Sequence, residues 1–160
     1  ILELMKKMSP AAFDSLLDHI DRETAEKYGA ITGGRPWLTW AEVEEMSRHG
    51  ISFGAHTHNH VLLTNIPLAD ARSEMLLSRE ILSEKIGKPV RMFCYPNGFY
   101  NHEIMGILRE CGYDMAVTTK RGSIRGSESV LNLNRIMIHE DMTSTIPMFA
   151  CVLTGRIPYF

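Results

Sequence analysis

The chain has 160 residues, 44% hydrophobic and 22% charged, with a formal net charge of −2. That is enough apolar material for one domain with its own core, and the charge balance offers no basic footprint for nucleic acid or an anionic membrane surface. No apolar run reaches the roughly 18 residues of a spanning helix, no signal peptide opens the chain, and it starts with Ile1 rather than Met, so a processed or cut product is expected.

In chain order, Ser9-Pro10 reads as a helix start, followed by Phe13, Leu16, Leu17 and Ile20 on one face. The charged stretch from Asp18 to Lys27 predicts fraying into a solvated connection, and Gly29, Gly33, Gly34 and Pro36 mark a loop. Thr39 and Glu42 form a capping box for a helix whose buried face is expected to carry Trp40, Val43 and Met46, with Gly50 closing it. Ile51, Phe53 and Ala55 alternate with Ser52 and Gly54, as in a short strand. Leu68 to Ile86 keeps a helical period and stops at Gly87, with Pro89 beyond; Val90 to Tyr95 is a strand closed by the turn Pro96-Asn97-Gly98. Asn101 caps a helix that ends at Gly112, Asp114 to Thr118 is strand-like, and the run from Lys120 to Glu128 is a loop. Leu131, Leu133 and Ile136-Met137-Ile138 give one or two further strands, and Thr143 or Ser144 starts a last helix ending at Gly155. Strands alternating with helices predict an α/β fold with mainly parallel pairing, in about four or five strands, too few for the roughly seven or eight of a closed barrel. Cys94, Cys111 and Cys151 form no C-x-x-C pair; an apolar strand and an amphipathic helix predict buried free thiols for the first two.

The chemistry concentrates in Gly54-Ala55-His56-Thr57-His58-Asn59-His60, directly after a strand, where α/β folds place ligands. Neutral imidazole is the commonest protein ligand for zinc and its neighbours. His56 with His58, or His58 with His60, would share one face of an extended segment; His56 with His60 would share one face of a helical turn. A solvated loop that happens to be rich in histidine is the bland alternative.

The segment from Leu38-Thr39-Trp40-Ala41-Glu42-Val43 to His60 resembles the polysaccharide deacetylase family, the NodB-homology domain of the carbohydrate esterases. Gly50, Gly54, His56, Thr57 and His60 meet that family's Gly-x-x-(small/aromatic)-Gly-x-His-(Ser/Thr)-x-x-His pattern, and Arg91-Met92-Phe93-Cys94-Tyr95-Pro96-Asn97-Gly98 resembles its third motif, in the expected order. The resemblance implies an irregular (β/α) barrel of which residues 1–160 form one C-terminal part, lacking the first strand. It makes His56 and His60 ligands of a divalent metal, zinc with cobalt or nickel possible, and His58 a bystander. It lines the substrate groove with Arg91, Tyr95 and Pro96, and gives the backbone N–H of Asn97 to the oxyanion. His139, after Ile136-Met137-Ile138, resembles the histidine that protonates the leaving amine. Cys94 stands where many members carry a second arginine.

The resemblance implies hydrolysis of N-acetyl or O-acetyl groups on a polysaccharide or cell-wall glycan by a bacterial enzyme, secreted or in the cell envelope. The family's third ligand and general base are adjacent aspartates; this sequence has no Asp-Asp, and Asp14, Asp18 and Asp21 do not match the motif. The chain alone is therefore expected to be inactive, with a sheet edge open to self-association. Competing readings are an inactive carbohydrate-binding homologue, a deformylase or deacetylase of a lipid-linked sugar, and an amidohydrolase-type enzyme built on His58 and His60.

Overall fold

The computed structural model describes residues 8–28, 37–124, 126, 129–139 and 143–155. It divides into two compact units, Ile1–Ile51 and Ser52–Phe160. No helix among the described residues is long and apolar enough to cross a membrane.

The first unit holds two helices. Helix α1, Pro10–Tyr28, starts with the Ser9 hydroxyl accepting from the Ala12 N–H at 3.4 Å. It does not fray at Asp18 as expected. Neither glycine nor proline interrupts residues 11–28, and turn-to-turn contacts continue through the charged stretch, with Arg22 Nε donating to the Asp18 carbonyl (3.2 Å) and His19 meeting Glu23 at 3.5 Å. Helix α2, Trp40–Arg48, opens with the expected capping box: Thr39 N–H donates to Glu42 Oε2 (2.7 Å), and Glu42 N–H to Thr39 Oγ1 (3.3 Å). Val43 is buried, but Trp40, expected on the buried face, is half exposed.

The second unit is a parallel sheet with helices between its strands. Strands β1 (Met92–Cys94), β2 (Met115–Arg121) and β3 (Leu133–Arg135) pair in that order, all parallel. Beyond β1, Ala55 bridges to Phe93, its N–H donating to the Met92 carbonyl and its own carbonyl accepting from Cys94 N–H, both at 2.9 Å. The strand expected over Ile51–Ala55 is thus a single bridge, and residues 136–138, expected to be a strand, are irregular. Helix α3 (Leu68–Ile86) leads into β1, and α4 (His102–Glu110) joins β1 to β2. Helix α5 (Ile146–Leu153) begins at Thr145, whose hydroxyl accepts from Met148 N–H.

Helices α3 and α4 pack together beside the sheet. Ala71, Met75, Ile104, Leu108 and Ala116 are fully buried around Phe93, Tyr95 and Tyr113. Phe93 makes edge contacts with Tyr95 (5.4 Å between ring centroids) and Tyr113 (5.1 Å), while Tyr100 stacks on Tyr95 at 5.2 Å. A buried hydroxyl needs a partner. Tyr95 donates to the Leu131 carbonyl (2.8 Å), tying the segment before β3 to the end of β1, and Tyr113 donates to the Met75 carbonyl (2.9 Å), tying α3 to the sheet. The parallel strands therefore present all their C-terminal ends on one side, over a core locked by aromatic rings.

Burial pushes the Tyr113 phenol up to about 12, against a smaller opposing effect of the Ser78 hydroxyl. A raised phenol pKa favours the neutral form in the fold, so its stabilisation is complete below the unfolded value near ~10 and lost as pH rises toward the folded one. Replacing Tyr113→Phe is expected to cost about 1 kcal/mol at neutral pH through the lost hydrogen bond. The same variant should lose less stability than the parent between about pH 8 and about pH 11 in urea titrations. Equal losses over that interval would show that Tyr113 does not control alkaline unfolding.

Candidate metal and deacetylation site

The chain after Ala55 leaves the sheet beside the end of β1. A Cβ at Gly54 would lie 3.1 Å from the Met92 carbonyl oxygen and 3.2 Å from Met92 Cβ, so glycine lets this segment approach β1 closely. The approach brings His56 to the end of β1, where its Nδ1 lies 2.7 Å from the Cys94 carbonyl oxygen. A carbonyl can only accept, so Nδ1 carries the proton and the Nε2 lone pair is left free. That is the tautomer a metal ligand needs, held by the kind of outer hydrogen bond that usually supports one.

The loop then reverses without becoming helical. Thr57 and His60 have φ of 64° and 56°, in the left-handed region, each costing on the order of 1–2 kcal/mol for a residue with a Cβ. The N–H groups of His58 and Asn59 both donate to Glu74 Oε2 on α3 (2.9 and 2.8 Å), and Asn59 Nδ2 donates to Glu74 Oε1 at 2.7 Å. The result sets the His60 ring 4.8 Å from the His56 ring, at 71°. The two histidines are neighbours because of a strained turn, not because of the helical i, i+4 geometry that the spacing suggested. His58 contributes its backbone to this turn and is exposed. Thr57 Oγ1 is buried with no partner among the described residues, which costs about 1–3 kcal/mol and marks the turn as a polar site.

The electrostatics act differently on the two rings. Burial and then the neighbouring His56 lower the His60 pKa, which favours neutral imidazole. Contact with the Cys94 side chain, offset in part by burial, raises that of His56, and the same contact lowers the Cys94 thiol. Cys94 is half buried and touches His56, rather than being the inert core thiol expected; Cys111 is buried as expected. Arg135, at the end of β3, lies near enough to lower both His56 and Cys94 by its charge. Nothing in the sequence pattern singled out Arg135. What marks it is its place at a strand's C-terminal end, the end where the histidines emerge.

The remaining expected site residues disperse. Arg91, expected at the substrate groove, precedes β1, about 10 Å of strand back from Cys94, and pairs with Asp114 at 2.8 Å on the surface. Tyr95 and Pro96 were expected to line substrate; both are fully buried, and the Tyr95 hydroxyl is committed to Leu131. Asn97 follows β1 on the histidine side of the sheet, with φ 53°, its carbonyl accepting from Thr119 Oγ1 at 3.0 Å. His139 is exposed, and its carbonyl accepts from Thr143 N–H at 2.8 Å and Thr143 Oγ1 at 2.5 Å. Among the described residues, no group of three or more His, Cys, Asp and Glu side chains is placed to hold a metal ion. The two imidazoles are donors of the kind a divalent ion takes, two short of the four that a closed structural site uses.

Residues 5–116 match the polysaccharide deacetylase family. YxkH of Bacillus subtilis, a curated protein carrying the same family name, is 29% identical over 117 residues, which are 73% of this chain and 42% of its own. Among solved structures, the Streptococcus pyogenes deacetylase PplD in complex with acetate is similar at a TM-score of 0.65 and 32% identity, over 69% of this chain and 49% of that one. A polysaccharide deacetylase from Bacillus cereus is similar at 0.65 and 30% identity, over 77% and 38%. The chain thus spans less than half the length of each of these relatives.

The turn after β1 has little steric room. A Cβ at Gly98, where φ is 75°, would lie 2.2 Å from Thr119 Oγ1 and 2.6 Å from the Thr119 backbone nitrogen. Gly98→Ala is therefore expected to destabilise the protein by about 3 kcal/mol or more, combining the left-handed backbone with the overlap. Asn97→Gly, which relieves a left-handed residue, should leave the thermal midpoint within a few degrees of the parent. A Gly98→Ala protein melting with the parent would mean that this turn does not hold its shape in solution.

Proposed function

The chain belongs to the polysaccharide deacetylase family and has its NodB-type (β/α) fold, and from that premise we propose that it takes part in metal-assisted hydrolysis of acetyl groups on a polysaccharide or cell-wall glycan. The observation that carries the reading is the His56–His60 pair, with His56 Nδ1 committed to the Cys94 carbonyl and its Nε2 free. The acetate bound in the PplD structure is the product such a reaction would release.

His56 and His60 would hold the ion, with zinc, cobalt or nickel all compatible with imidazole ligands. The chemistry a divalent ion supplies when bound is polarisation of the acetyl carbonyl and acidification of a water toward a pKa of about 7. The Cys94 carbonyl keeps the His56 ring in one tautomer and orientation throughout. As the carbonyl carbon becomes tetrahedral, the backbone N–H of Asn97 stands as donor to the developing oxyanion, a contribution of about 3 kcal/mol for one well-placed donor. That role needs no side chain, in keeping with the left-handed turn that fixes Asn97. Arg135 adds positive charge on the same side. His139 is proposed to return a proton to the leaving amine, which suits an imidazole near neutrality. A glycan of this kind lies outside the cell or in its envelope, where the proposed activity would operate.

A tight catalytic site normally has three protein ligands. This 160-residue chain by itself is therefore expected to release no measurable acetate from N-acetylated oligosaccharides with zinc or cobalt added, whereas a parent protein of its relatives' length should release it. In that parent, His56→Ala and His60→Ala should each abolish cobalt binding and acetate release, and His58→Ala should spare both. Equal losses from all three would reject the pairing. A metal-loaded parent that binds the oligosaccharide without releasing acetate would establish the carbohydrate-binding reading in place of the enzyme.

A further inference from the structure

We infer that Glu74 is a positioning residue for the metal site: its carboxylate is the internal anion around which the His56–His60 turn is wrapped, and it sets the distance between the two imidazoles. The role toward metal rests on the proposed ligand pair; the role in shaping the turn does not.

Three charge-assisted hydrogen bonds converge on this one side chain, from His58 N–H, Asn59 N–H and Asn59 Nδ2. Two successive backbone N–H groups aimed at one oxygen form the concavity that loops elsewhere offer to a bound anion. Here the anion comes from the chain itself. The turn has little else to hold it, since Thr57 and His60 both adopt left-handed backbone and the Thr57 hydroxyl is unpartnered among the described residues. Glu74, by contrast, sits on α3 between Ala71 and Met75, two residues with no exposed surface at all, so its helix is fixed by the core. The geometry therefore runs from core to helix to carboxylate to turn to His60. It also accounts for an amide at position 59: asparagine donates from its side chain to the carboxylate, where an isosteric aspartate would add a like charge.

Outer hydrogen bonds that orient metal ligands typically change metal affinity by 10- to 100-fold when removed. Glu74→Ala is expected to weaken cobalt binding to the 160-residue chain, followed by its visible absorbance, by about 10- to 100-fold. In the metal-free chain the same variant should speed amide exchange at His58 and Asn59 and erase the NMR cross-peak between the His56 and His60 rings. Glu80→Gln, on the exposed side of the same helix, should change none of these.

A reciprocal exchange separates positioning from simple loss of charge or of fold. Asn59→Asp alone places two carboxylates together and should weaken cobalt at least about tenfold, while Glu74→Gln combined with Asn59→Asp restores a donor facing an acceptor and should return affinity to within about threefold of the parent. Failure of the 160-residue chain to bind cobalt would return the test of the ligand pair to the longer parent, and the exchange and cross-peak measurements would still decide the role of Glu74. Unchanged amide exchange and an intact His56–His60 cross-peak in Glu74→Ala, or no recovery in the double exchange, would overturn the inference.

Discussion

The hydrogen bond from His56 Nδ1 to the Cys94 carbonyl joins the ends of two neighbouring parallel segments, and the candidate site depends on it. It forms because Ala55 pairs with Phe93 in register, a close approach that a glycine at position 54 eases. One contact then has three consequences. The carbonyl just past the Ala55–Phe93 pairing gains a partner, the imidazole is fixed in one tautomer, and the ring plane becomes a reference against which His60 is placed. A histidine one residue earlier or later would point to the other side of the sheet.

Strain and stability are divided between the two ends of that sheet. Among the described residues three with a Cβ hold left-handed backbone, Thr57, His60 and Asn97, and all three follow a parallel segment on the histidine side. Such conformations persist where the surroundings over-determine them. For the histidine turn the surroundings are the Glu74 carboxylate and the His56–Cys94 hydrogen bond, carried on elements that the Tyr95 and Tyr113 hydroxyl bonds to Leu131 and Met75 fasten to the core. At the opposite end, Arg91 and Asp114 form an exposed pair of the sort worth about 0–1 kcal/mol.

Cys94 and Arg135 change the polar character of the site from what the motif alone implied. A thiol occupies the strand position where many family members carry arginine, and it perturbs His56 and is perturbed by it. Positive charge nevertheless reaches the same place from the end of β3. Parallel strand ends from different parts of the chain converge on one edge of the sheet, so a charge can be supplied from another strand at that edge.

The sequence by itself indicated where most helices begin and end, the parallel α/β class and the family, and through that resemblance it pointed to His56 and His60. These follow from local rules: the Thr39–Glu42 box, Gly87 and Gly112 as stops, the turn at Pro96-Asn97-Gly98, and motif spacing that only one segment satisfied. It overestimated regular strand at residues 51–55 and 136–138 and assigned Tyr95, Pro96 and Arg91 to substrate, because alternation and motif position do not report which strand end or which face a residue occupies. Tertiary structure decided that Tyr95 belongs to the core, that Arg91 lies at the far end of the sheet, and that Arg135 ends a strand on the same side of the sheet as His56. It also decided how His56 meets His60. That pairing depends on a carboxylate 14 residues beyond His60, on a different element, and no local pattern encodes a contact whose partners are brought together only when α3 docks on the core.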